Sequence, residues 1–373
     1  MANLPLRVLR EDETLSRSIS YPDAMDSQAA VNDFAVFAQD NGQIHPRLTM
    51  DLGVRLDHNS LSAEAVNIAP RIGFVFAPTD DSRTAVRGGF GVFFDKIPIN
   101  VAIFNRFPAQ TITSYAADGA TVVGSAATFA HVSPDSLHVP YSLGWTLQFD
   151  RELRQNLLMR LGYEERHAFR EFYVDPVQAA DGSARLLLLN SGHQDYRELL
   201  AMMRWRVNDR TTLFGSYVYS NAQGELNDYN RFFGNYAYPL IRANQYGPLS
   251  SNAPHRGLFW EIIGLPHKLD FVPILDVHTG FPFSRVDRDW NYIGRENQAG
   301  HLPTFLALDT KFQYPVDFTF RDHRIQFRAG FSVYNVLNHF NPRDVQEYYA
   351  SPNYGTFYNS VGRLFRIDGD FDF

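Results

Sequence analysis

Histidines are the residues of this 373-residue chain that could most readily perform acid–base or metal chemistry, and there are twelve of them. They are scattered, and none belongs to the H-E-x-x-H pattern that places two imidazoles around a zinc ion. His255, His267 and His278 have no local serine or aspartate arrangement typical of a catalytic triad. The sequence therefore predicts no catalytic residue, no metal site and no cofactor. A hydrolase would need these histidines to converge with serine or aspartate at one rim of the fold.

Three aspartates at alternate positions, Asp368, Asp370 and Asp372, could in principle supply oxygen ligands to a calcium ion. In a β-strand, alternate residues lie about 6.6–7 Å apart, which is too far for three carboxylates to meet at one ion. The pattern favours a charged row along one face of a strand. Seven arginines on similar alternating segments could pair with such acids: Arg55, Arg71, Arg87, Arg160, Arg204, Arg328 and Arg366.

A segment rich in aromatic and arginine residues, 222–256, is the strongest candidate for ligand binding. Such side chains anchor sugars, peptides or chelates, because they combine a large contact area with hydrogen-bond donors. The same aromatics could instead pack the segment against its surroundings, and the residues alone leave both interpretations open. The candidate ligand-binding residues are Tyr229, Arg231, Phe232, Phe233, Tyr236, Tyr238, Arg242 and Tyr246.

The elements that must position these residues are β-strands, because apolar and polar residues alternate with period two along most of the chain. In 48–57, for example, every second residue is Leu, Met or Val, while the others are Thr, Asp, Gly or Arg. The alternation predicts thirteen strands, at 31–40, 47–57, 68–77, 84–95, 141–152, 157–173, 195–206, 211–221, 254–263, 269–280, 303–315, 323–337 and 361–373.

The connections between these strands alternate between short turns and loops of up to about 45 residues, where the usual median is about 4–6. A soluble β-sandwich gives no reason for this alternation, whereas a membrane barrel has tight turns on one side and long loops on the other. The predicted fold is all-β, a transmembrane antiparallel up-and-down β-barrel. Residues 1–30 are expected to form an external loop and residues 31–373 the barrel segment, with a further hairpin inside the loop 96–140.

Composition agrees with this fold and excludes several other classes. The chain has 14% aromatic residues, a net charge of −7 and no cysteine, so it has no disulfide, no thiol nucleophile and no basic field for nucleic acid. No apolar run approaches the roughly 20 residues of a membrane helix. The first eighteen residues also lack the apolar stretch of a cleavable signal, so either the protein is cytosolic or its N-terminus is not the natural one. Aromatic girdles are expected from Trp145, Tyr163, Trp205, Tyr217, Tyr219 and Trp260.

The last strand carries an apolar row at alternate positions, formed by Phe365, Ile367, Phe371 and Phe373. Gly369 interrupts the row, and charged residues occupy the positions between its members. If the alternating charged residues face a wet lumen, the apolar row faces lipid and the strand closes the wall of a barrel.

Several segments in the same order resemble TonB-dependent receptors of the bacterial outer membrane. They are "VFAQDNGQIHPRLTMDLGVRLD", "NIAPRIGFVFAPTDDSRTAVRGGFGVFFD", "PYSLGWTLQFDREL", "RTTLFGSYVYSNA", "HTGFPFS" and "FRAGFSVYNVLNHFNP". They are most similar to the large branch of the family, whose members carry a carboxypeptidase-regulatory-like N-terminal domain. The resemblance covers roughly residues 31–373.

The resemblance implies that the chain is the C-terminal portion, about 13–14 strands, of a 22-strand barrel, without the plug domain. It implies a location in the outer membrane of a Gram-negative-type bacterium, in contact with lipid. The terminal apolar row, including Phe373, resembles the signal read by the barrel-assembly machinery. The implied function is energy-coupled uptake of a bulky nutrient through the plug and the TonB complex, with a small-molecule, saccharide or peptide ligand and no nucleic acid. The alternative is a passive porin-like, adhesion or structural barrel without energy coupling.

Overall fold

The computed structural model describes residues 5–22, 26–179, 183–230, 240, 242–320 and 323–372, and nearly all regular structure in them is β. In chain order the strands are β1 (Leu6–Leu9), β2 (Leu15–Ser20), β3 (Asp33–His45), β4 (Leu48–Asn59), β5 (Asn67–Phe76), β6 (Thr84–Phe94), β7 (Gln110–Tyr115), β8 (Val122–Val132), β9 (Tyr141–Arg154), β10 (Leu157–Gln178), β11 (Ala184–Asn208), β12 (Thr211–Glu225), β13 (Tyr246–Pro248), β14 (His255–Gly264), β15 (Asp270–His278), β16 (Pro282–Phe283), β17 (Gly300–His301), β18 (Phe305–Phe320), β19 (His323–Tyr334), β20 (Pro342–Val345), β21 (Phe357–Ser360) and β22 (Leu364–Asp372). Two short 3-10 helices, η1 (Val101–Arg106) and η2 (Pro266–Lys268), lie in connections. Within the described ranges, no helix has the length and apolar character needed to span a membrane.

Thirteen strands form one continuous antiparallel meander. Its order is β3, β4, β5, β6, β9, β10, β11, β12, β14, β15, β18, β19 and β22, each paired with the next. These are the thirteen strands that the alternation predicts, so the predicted up-and-down topology is confirmed. Among the described residues no ladder joins β3 to β22, and each therefore has one edge without a neighbouring strand.

The two faces of the sheet have opposite character. On β9 the outward side chains of Trp145, Leu147 and Phe149 are exposed, whereas the alternating Asp150 is buried on the inward face. On β4 the same alternation exposes Leu52, Val54 and Leu56, while Leu48 and Met50 of the same row are half-buried. An apolar band of this extent is favourable only against another apolar phase, because contact with water costs about 25 cal/mol per Å². The predicted orientation, with apolar rows outward and charged rows inward, is confirmed.

The connections distinguish a short-turn end from a long-loop end of the sheet. At the short-turn end, residues 155–156 join β9 to β10 and residues 209–210 join β11 to β12. At the long-loop end, 95–140 connect β6 to β9 and 226–254 connect β12 to β14. The alternation that the sequence predicts is therefore present in the structure.

One predicted long loop is wrong, because most of the segment 174–194 is strand. β10 has 22 residues and β11 has 25, where about 9–11 residues cross a bilayer. The ladder between them is irregular around Glu171, and Arg170 has a φ of 60°. The two strands continue beyond this irregularity and project past the barrel wall at the long-loop end.

The connection 95–140 contains the predicted hairpin, formed by β7 and β8. β8 also pairs in parallel with the projecting part of β11, through Ala184–Leu187. Residues 5–22 contain regular structure: β1 and β2 form a hairpin, and β2 pairs with β7. The assignment of residues 1–30 to an external loop stays a prediction, although this region has regular strands.

The packed apolar core lies at the long-loop end rather than between the barrel strands. It unites η1, the projecting parts of β10 and β11, and adjoining loops, and its buried members are Ile97, Val101, Phe104, Val139, Phe172, Val174, Leu186, Leu188 and Tyr229. The location follows from the alternation, because barrel strands send their apolar side chains outward. A water-excluding core can form only where chain segments pack against each other beyond the wall.

The N-terminal hairpin is held to the other loops by the β2–β7 ladder and by one buried arginine. The Arg10 guanidinium donates hydrogen bonds to the carbonyl oxygens of Tyr115 (2.6 Å) and Leu15 (2.7 Å), and its Nε donates to Asp289 at 2.9 Å. Only 2% of the Arg10 side chain is exposed. One side chain thus satisfies acceptors in its own hairpin and in two segments that are distant in sequence.

Replacing Arg10 with leucine should release the β1–β2 hairpin while leaving the barrel folded. Buried acceptors left without a donor cost about 1–3 kcal/mol, a large loss for a short hairpin that otherwise depends on the β2–β7 ladder and a few loop contacts. Hydrogen exchange should show faster exchange of backbone amides in β1 and β2 and unchanged exchange in β9. The control is Arg7→Leu, since Arg7 is exposed on the same hairpin. Equal protection of β1 in both variants would contradict this role for Arg10.

Candidate functional site

The candidate ligand-binding residues do not form one site in the part of the chain that the structure describes. Arg231, Phe232, Phe233, Tyr236 and Tyr238 lie outside the described residues. The other three, Tyr229, Arg242 and Tyr246, each contact a different part of the long-loop end.

Tyr229 is part of the apolar core, with 3% of its surface exposed. Its ring centroid lies 6.2 Å from that of Phe104 and 6.3 Å from that of Phe172. Burial raises the pKa of its hydroxyl. This geometry agrees with the interpretation that the aromatic residues pack the segment against its surroundings. The Tyr229 ring packs against η1 and β10 and thereby holds the loop that follows β12.

Arg242 joins two loops. Its guanidinium donates from Nε to the carbonyl oxygen of Trp290 at 2.6 Å and lies 4.2 Å from the centroid of the Tyr292 ring. Tyr246 donates its hydroxyl hydrogen bond to Asp195, and its ring stacks on His193 at 4.4 Å. Direct contact of either residue with a ligand stays a prediction.

A cavity of about 1530 Å³ opens on the inward face of the sheet, toward the long-loop end, and is called the outer cavity here. Its wall comes from strands β3 to β6, β9 to β12, β14 and β15, and from the loops that follow β6, β12 and β15. The charged residues that line it are Asp51, Arg71, Asp95, Glu164, Arg166, Glu171, Asp195, Glu198, Asp228 and Arg256. The sequence predicts a binding loop at this end of the sheet but does not single out this wall.

Three acids meet at the top of the outer cavity. Burial, together with the negative charges of Asp95 and Asp228, raises the pKa of Glu171 to about 7, although Arg166 opposes the shift. Burial also raises the pKa of Asp95, again against the effect of Arg166. Arg166 therefore acts on both Asp95 and Glu171, and Glu171 can gain or lose a proton near neutral pH.

The shift at Glu171 predicts that stability decreases as the pH rises from 4.5 to 7. Between these values the folded state holds a proton that the unfolded state, with its ordinary pKa of 4.5, has released. The loss should reach at most about 3 kcal/mol and level off above pH 7. Glu171→Gln should abolish it, so that thermal unfolding midpoints of variant and wild type diverge with rising pH. The exposed Glu13, changed to Gln, is the control; equal pH profiles for wild type and Glu171→Gln would refute the prediction.

A second cavity, of about 810 Å³, lies toward the short-turn end and is called the inner cavity here. Its wall includes Arg83, Arg87, Arg160, Arg204 and Arg206 together with Asp150 and Glu152. The buried Asp150 accepts hydrogen bonds from Arg160 at 2.6 and 3.0 Å and lies 3.6 Å from Arg87. The predicted pairing of inward arginines with acids is confirmed for these two residues.

The final strand has the predicted orientation. Phe365 and Ile367 are 67% and 84% exposed on the outward face, while Asp368 on the other face pairs with Lys311 at 2.9 Å. Asp368 is therefore one partner of an ion pair. Among the described residues, no group of three or more acids or histidines is arranged to hold a metal ion.

The interruption of the apolar row at Gly369 has a structural explanation. A β-carbon at this position would lie 2.7 Å from the ring of Phe327 on β19. The neighbouring strand thus covers the gap with its own aromatic side chain. Phe371 lies within β22 and Phe373 lies outside the described residues, and the role of the row in assembly stays a prediction.

One expected girdle residue faces the other way. Trp145 packs on Tyr163 at 4.8 Å on the outward face, and Trp205, Tyr217 and Tyr219 are likewise exposed. Trp260 instead stacks on its cross-strand partner Phe214 at 3.7 Å, and Phe214 lines the inner cavity. The prediction for Trp260 is wrong, because the register with β12 turns it inward.

A family model described as "Outer membrane beta barrel domain" matches residues 57–284, which is more than half of the chain. The chain belongs to this family. The matched range contains β5 to β16 and the described wall of the inner cavity, whereas Gln39 and residues 51–53 of the outer cavity precede it. The protein is therefore located in the outer membrane, and its outward apolar face contacts lipid. No curated protein matches the chain.

Solved structures with the same fold are outer-membrane transporters and receptors. The outer membrane transporter YddB from Escherichia coli has a TM-score of 0.66 and 13% identity, over 98% of this chain and 48% of its own. The ferric enterobactin receptor PfeA from Pseudomonas aeruginosa, in complex with enterobactin, has a TM-score of 0.63 and 14% identity, over 92% and 46%. The FrpB iron transporter from Neisseria meningitidis has a TM-score of 0.57 and 11% identity, over 95% and 45%. The chain thus spans about half the length of these proteins.

Proposed function

We propose that this chain is the C-terminal barrel wall of a TonB-dependent receptor that takes up a bulky nutrient across the outer membrane. In this proposal residues 31–373 form the barrel segment, and residues 1–30 belong to an external loop. A plug domain encoded before this segment blocks the lumen and couples it to the TonB energy-transducing complex. The barrel-assembly machinery inserts the protein by reading the terminal apolar row.

The observation that carries the proposal is a membrane sheet of thirteen consecutive strands with two edges unpaired among the described residues. Unpaired backbone groups cannot remain in hydrocarbon, so further strands must complete the wall. A 22-strand barrel would supply them, and the match to about half of each solved transporter supports this size.

The ligand in this proposal is a small molecule, saccharide or peptide captured at the long-loop end. Support comes from the aromatic-rich segment 222–256, of which Asp228, Asn230 and Leu249 are among the residues that line the outer cavity. The proposal includes no catalytic chemistry, in keeping with similar structures that are transporters and receptors.

Uptake measurements in the organism that encodes the chain test the proposal. Deletion of the full gene should abolish high-affinity accumulation of one labelled nutrient, and re-expression should restore it. A protonophore should block the same uptake in wild-type cells, because energy reaches the outer membrane from the proton gradient of the inner one. Uptake that persists with the protonophore would overturn energy coupling.

The alternative of a passive or adhesive barrel predicts different results. The purified full-length protein would then form a steadily open channel in a planar bilayer, or its deletion would reduce surface attachment with nutrient uptake unchanged. For the receptor we expect no steady conductance, because the plug blocks the lumen.

A further inference from the structure

The β1–β2 hairpin contacts loops that rise from well-separated parts of the outer cavity wall. β3, β6 and β15 all contribute lining residues to this cavity, so the wall strands curve around it. In the meander, β15 lies six positions from β6, which is about 29 Å along the sheet at about 4.8 Å per strand. Residues 5–22, which contain the hairpin, are called the clasp here.

One side of the clasp is fixed to the loop after β6 by a backbone ladder. Residues 17–20 of β2 pair in antiparallel register with residues 111–114 of β7. The Arg10 guanidinium adds hydrogen bonds to the carbonyl oxygens of Tyr115 and Ala116, at 2.6 and 3.0 Å. β7 in turn pairs with β8, and β8 with the projecting part of β11. The clasp is therefore the edge of a sheet that begins at the wall.

The other side of the clasp contacts the loop after β15, and no ladder joins the two among the described residues. Asp289 of that loop accepts hydrogen bonds from Ser16 at 2.7 Å and from Arg10 at 2.9 Å. Trp290 donates from its indole nitrogen to the Leu9 carbonyl oxygen at 2.8 Å. Further side-chain contacts join Arg17 to Asn291, Arg288 to Asp12, and Ser351 of the loop after β19 to Glu11.

This second side is the one that can separate. Its hydrogen bonds are made by side chains, and such bonds are replaced by water at small net cost. The Arg288–Asp12 pair is partly exposed, and exposed pairs contribute little to stability. The apolar cluster of the clasp has three buried members, Val8, Ile19 and Leu240. The clasp can thus leave the loop after β15 while its ladder with β7 persists.

We propose that the clasp is a gate: bound to the loop after β15, it restricts the entry of large molecules into the outer cavity, and it opens by separating from that loop. Both loops that it joins lie at the long-loop end, so a molecule arriving from outside meets them before it reaches the cavity. Loss of the contacts around Asp289 disconnects the two loops at this point without breaking a ladder. The inference concerns access to the cavity and goes beyond the proposed function, which leaves the route of entry open.

A disulfide lock tests the gate in intact cells that produce the full-length protein. Ser142 lines the outer cavity, and Ser142→Cys provides a reporter there. The reagent is a maleimide coupled to polyethylene glycol, too large to cross the outer membrane. Ser16→Cys/Asp289→Cys, once oxidised, holds the clasp on the loop. Labelling of the peptide that contains position 142 should then slow at least about tenfold, because only the open fraction reacts with the reagent.

A second disulfide and a smaller reagent provide the controls. Arg7→Cys/Ser18→Cys links register partners within the clasp and should leave the labelling rate within about twofold of that of the unlocked protein. N-ethylmaleimide, which is small, should label position 142 at the same rate in both locked proteins. Equal labelling of the two locked proteins by the large reagent would overturn the gate.

Arg10→Leu gives a second measurement that does not depend on the lock. Removal of the guanidinium leaves buried acceptors on both sides of the clasp without a donor and raises the open fraction. The large reagent should therefore label position 142 at least about fivefold faster. Arg7→Leu, which changes an exposed side chain of the same hairpin, should leave the rate unchanged. An equal rate in the two variants would also overturn the gate.

The gate and the proposed transport fail in different ways. If the lock does not slow labelling but a nutrient is still taken up in a protonophore-sensitive manner, only the gate is overturned. If the lock slows labelling while all uptake resists the protonophore, only energy coupling is overturned.

Discussion

Replacing Leu161 with arginine should reduce the folded protein in the outer membrane at least about tenfold, because an arginine on the lipid face costs about 2–4 kcal/mol near the bilayer midplane. Leu161 is 52% exposed in the outward row of β10 and pairs across the sheet with Phe149 and Ala201. These neighbours offer no acid to the new charge. The measurement is immunodetection of the full-length protein in purified outer membranes.

The same substitution on the inward face provides the control. Thr146 on β9 is the register partner of Glu164 and lines the outer cavity. Thr146→Arg introduces the same charge at a similar depth in the membrane, but next to a carboxylate and water. It should assemble at the wild-type level. Equal loss of both variants would mean that the two faces of the sheet are not solvated differently.

Truncating Phe104 to alanine should destabilise the long-loop end by about 3–5 kcal/mol, the usual cost of removing a buried aromatic ring. Phe104 is fully buried in the apolar core and contacts Phe107, His131 and Tyr229. The barrel strands are held by their own ladders and should stay folded. Protease added to intact cells should therefore cleave the variant within loops 95–140 or 226–254 and leave a protected membrane fragment.

Ile99 is the matched control for this change. It precedes η1 in the same loop and is 53% exposed. Ile99→Ala removes apolar surface that already contacts water, so its effect should stay within about 0.5 kcal/mol. If the Phe104→Ala and Ile99→Ala variants resist the protease equally, the result contradicts a stabilising role for the core.

The strands of the wall could be predicted because their signal is local. Alternation with period two is contained in each strand, and turn residues mark the short connections. The projecting part of β11 escaped prediction, because 186–189 is a continuous leucine run without alternation. Leu186 and Leu188 are buried against η1 and β10, and such long-range contacts leave no periodic pattern in the sequence.

The orientation of Trp260 could not be predicted from the sequence for a related reason. It follows Phe259 directly, and in "GLFWEIIG" both parities contain apolar residues. A shift of one residue in register exchanges the faces of a strand, and only the ladder with β12 fixes it. Strict alternation therefore predicts the face on which a side chain lies. Where two aromatic residues are adjacent, the sequence does not determine which of them faces outward.

The amino-acid sequence by itself determined the fold class, the thirteen wall strands and the opposite solvation of their faces, because each depends on neighbours one or two residues apart. Tertiary structure alone decided that Tyr229 packs in a core, that β10 and β11 project beyond the wall, and that Glu164 meets Glu198. These facts depend on register between residues far apart in the chain. Pairing in space brings such residues together, and no local pattern encodes it.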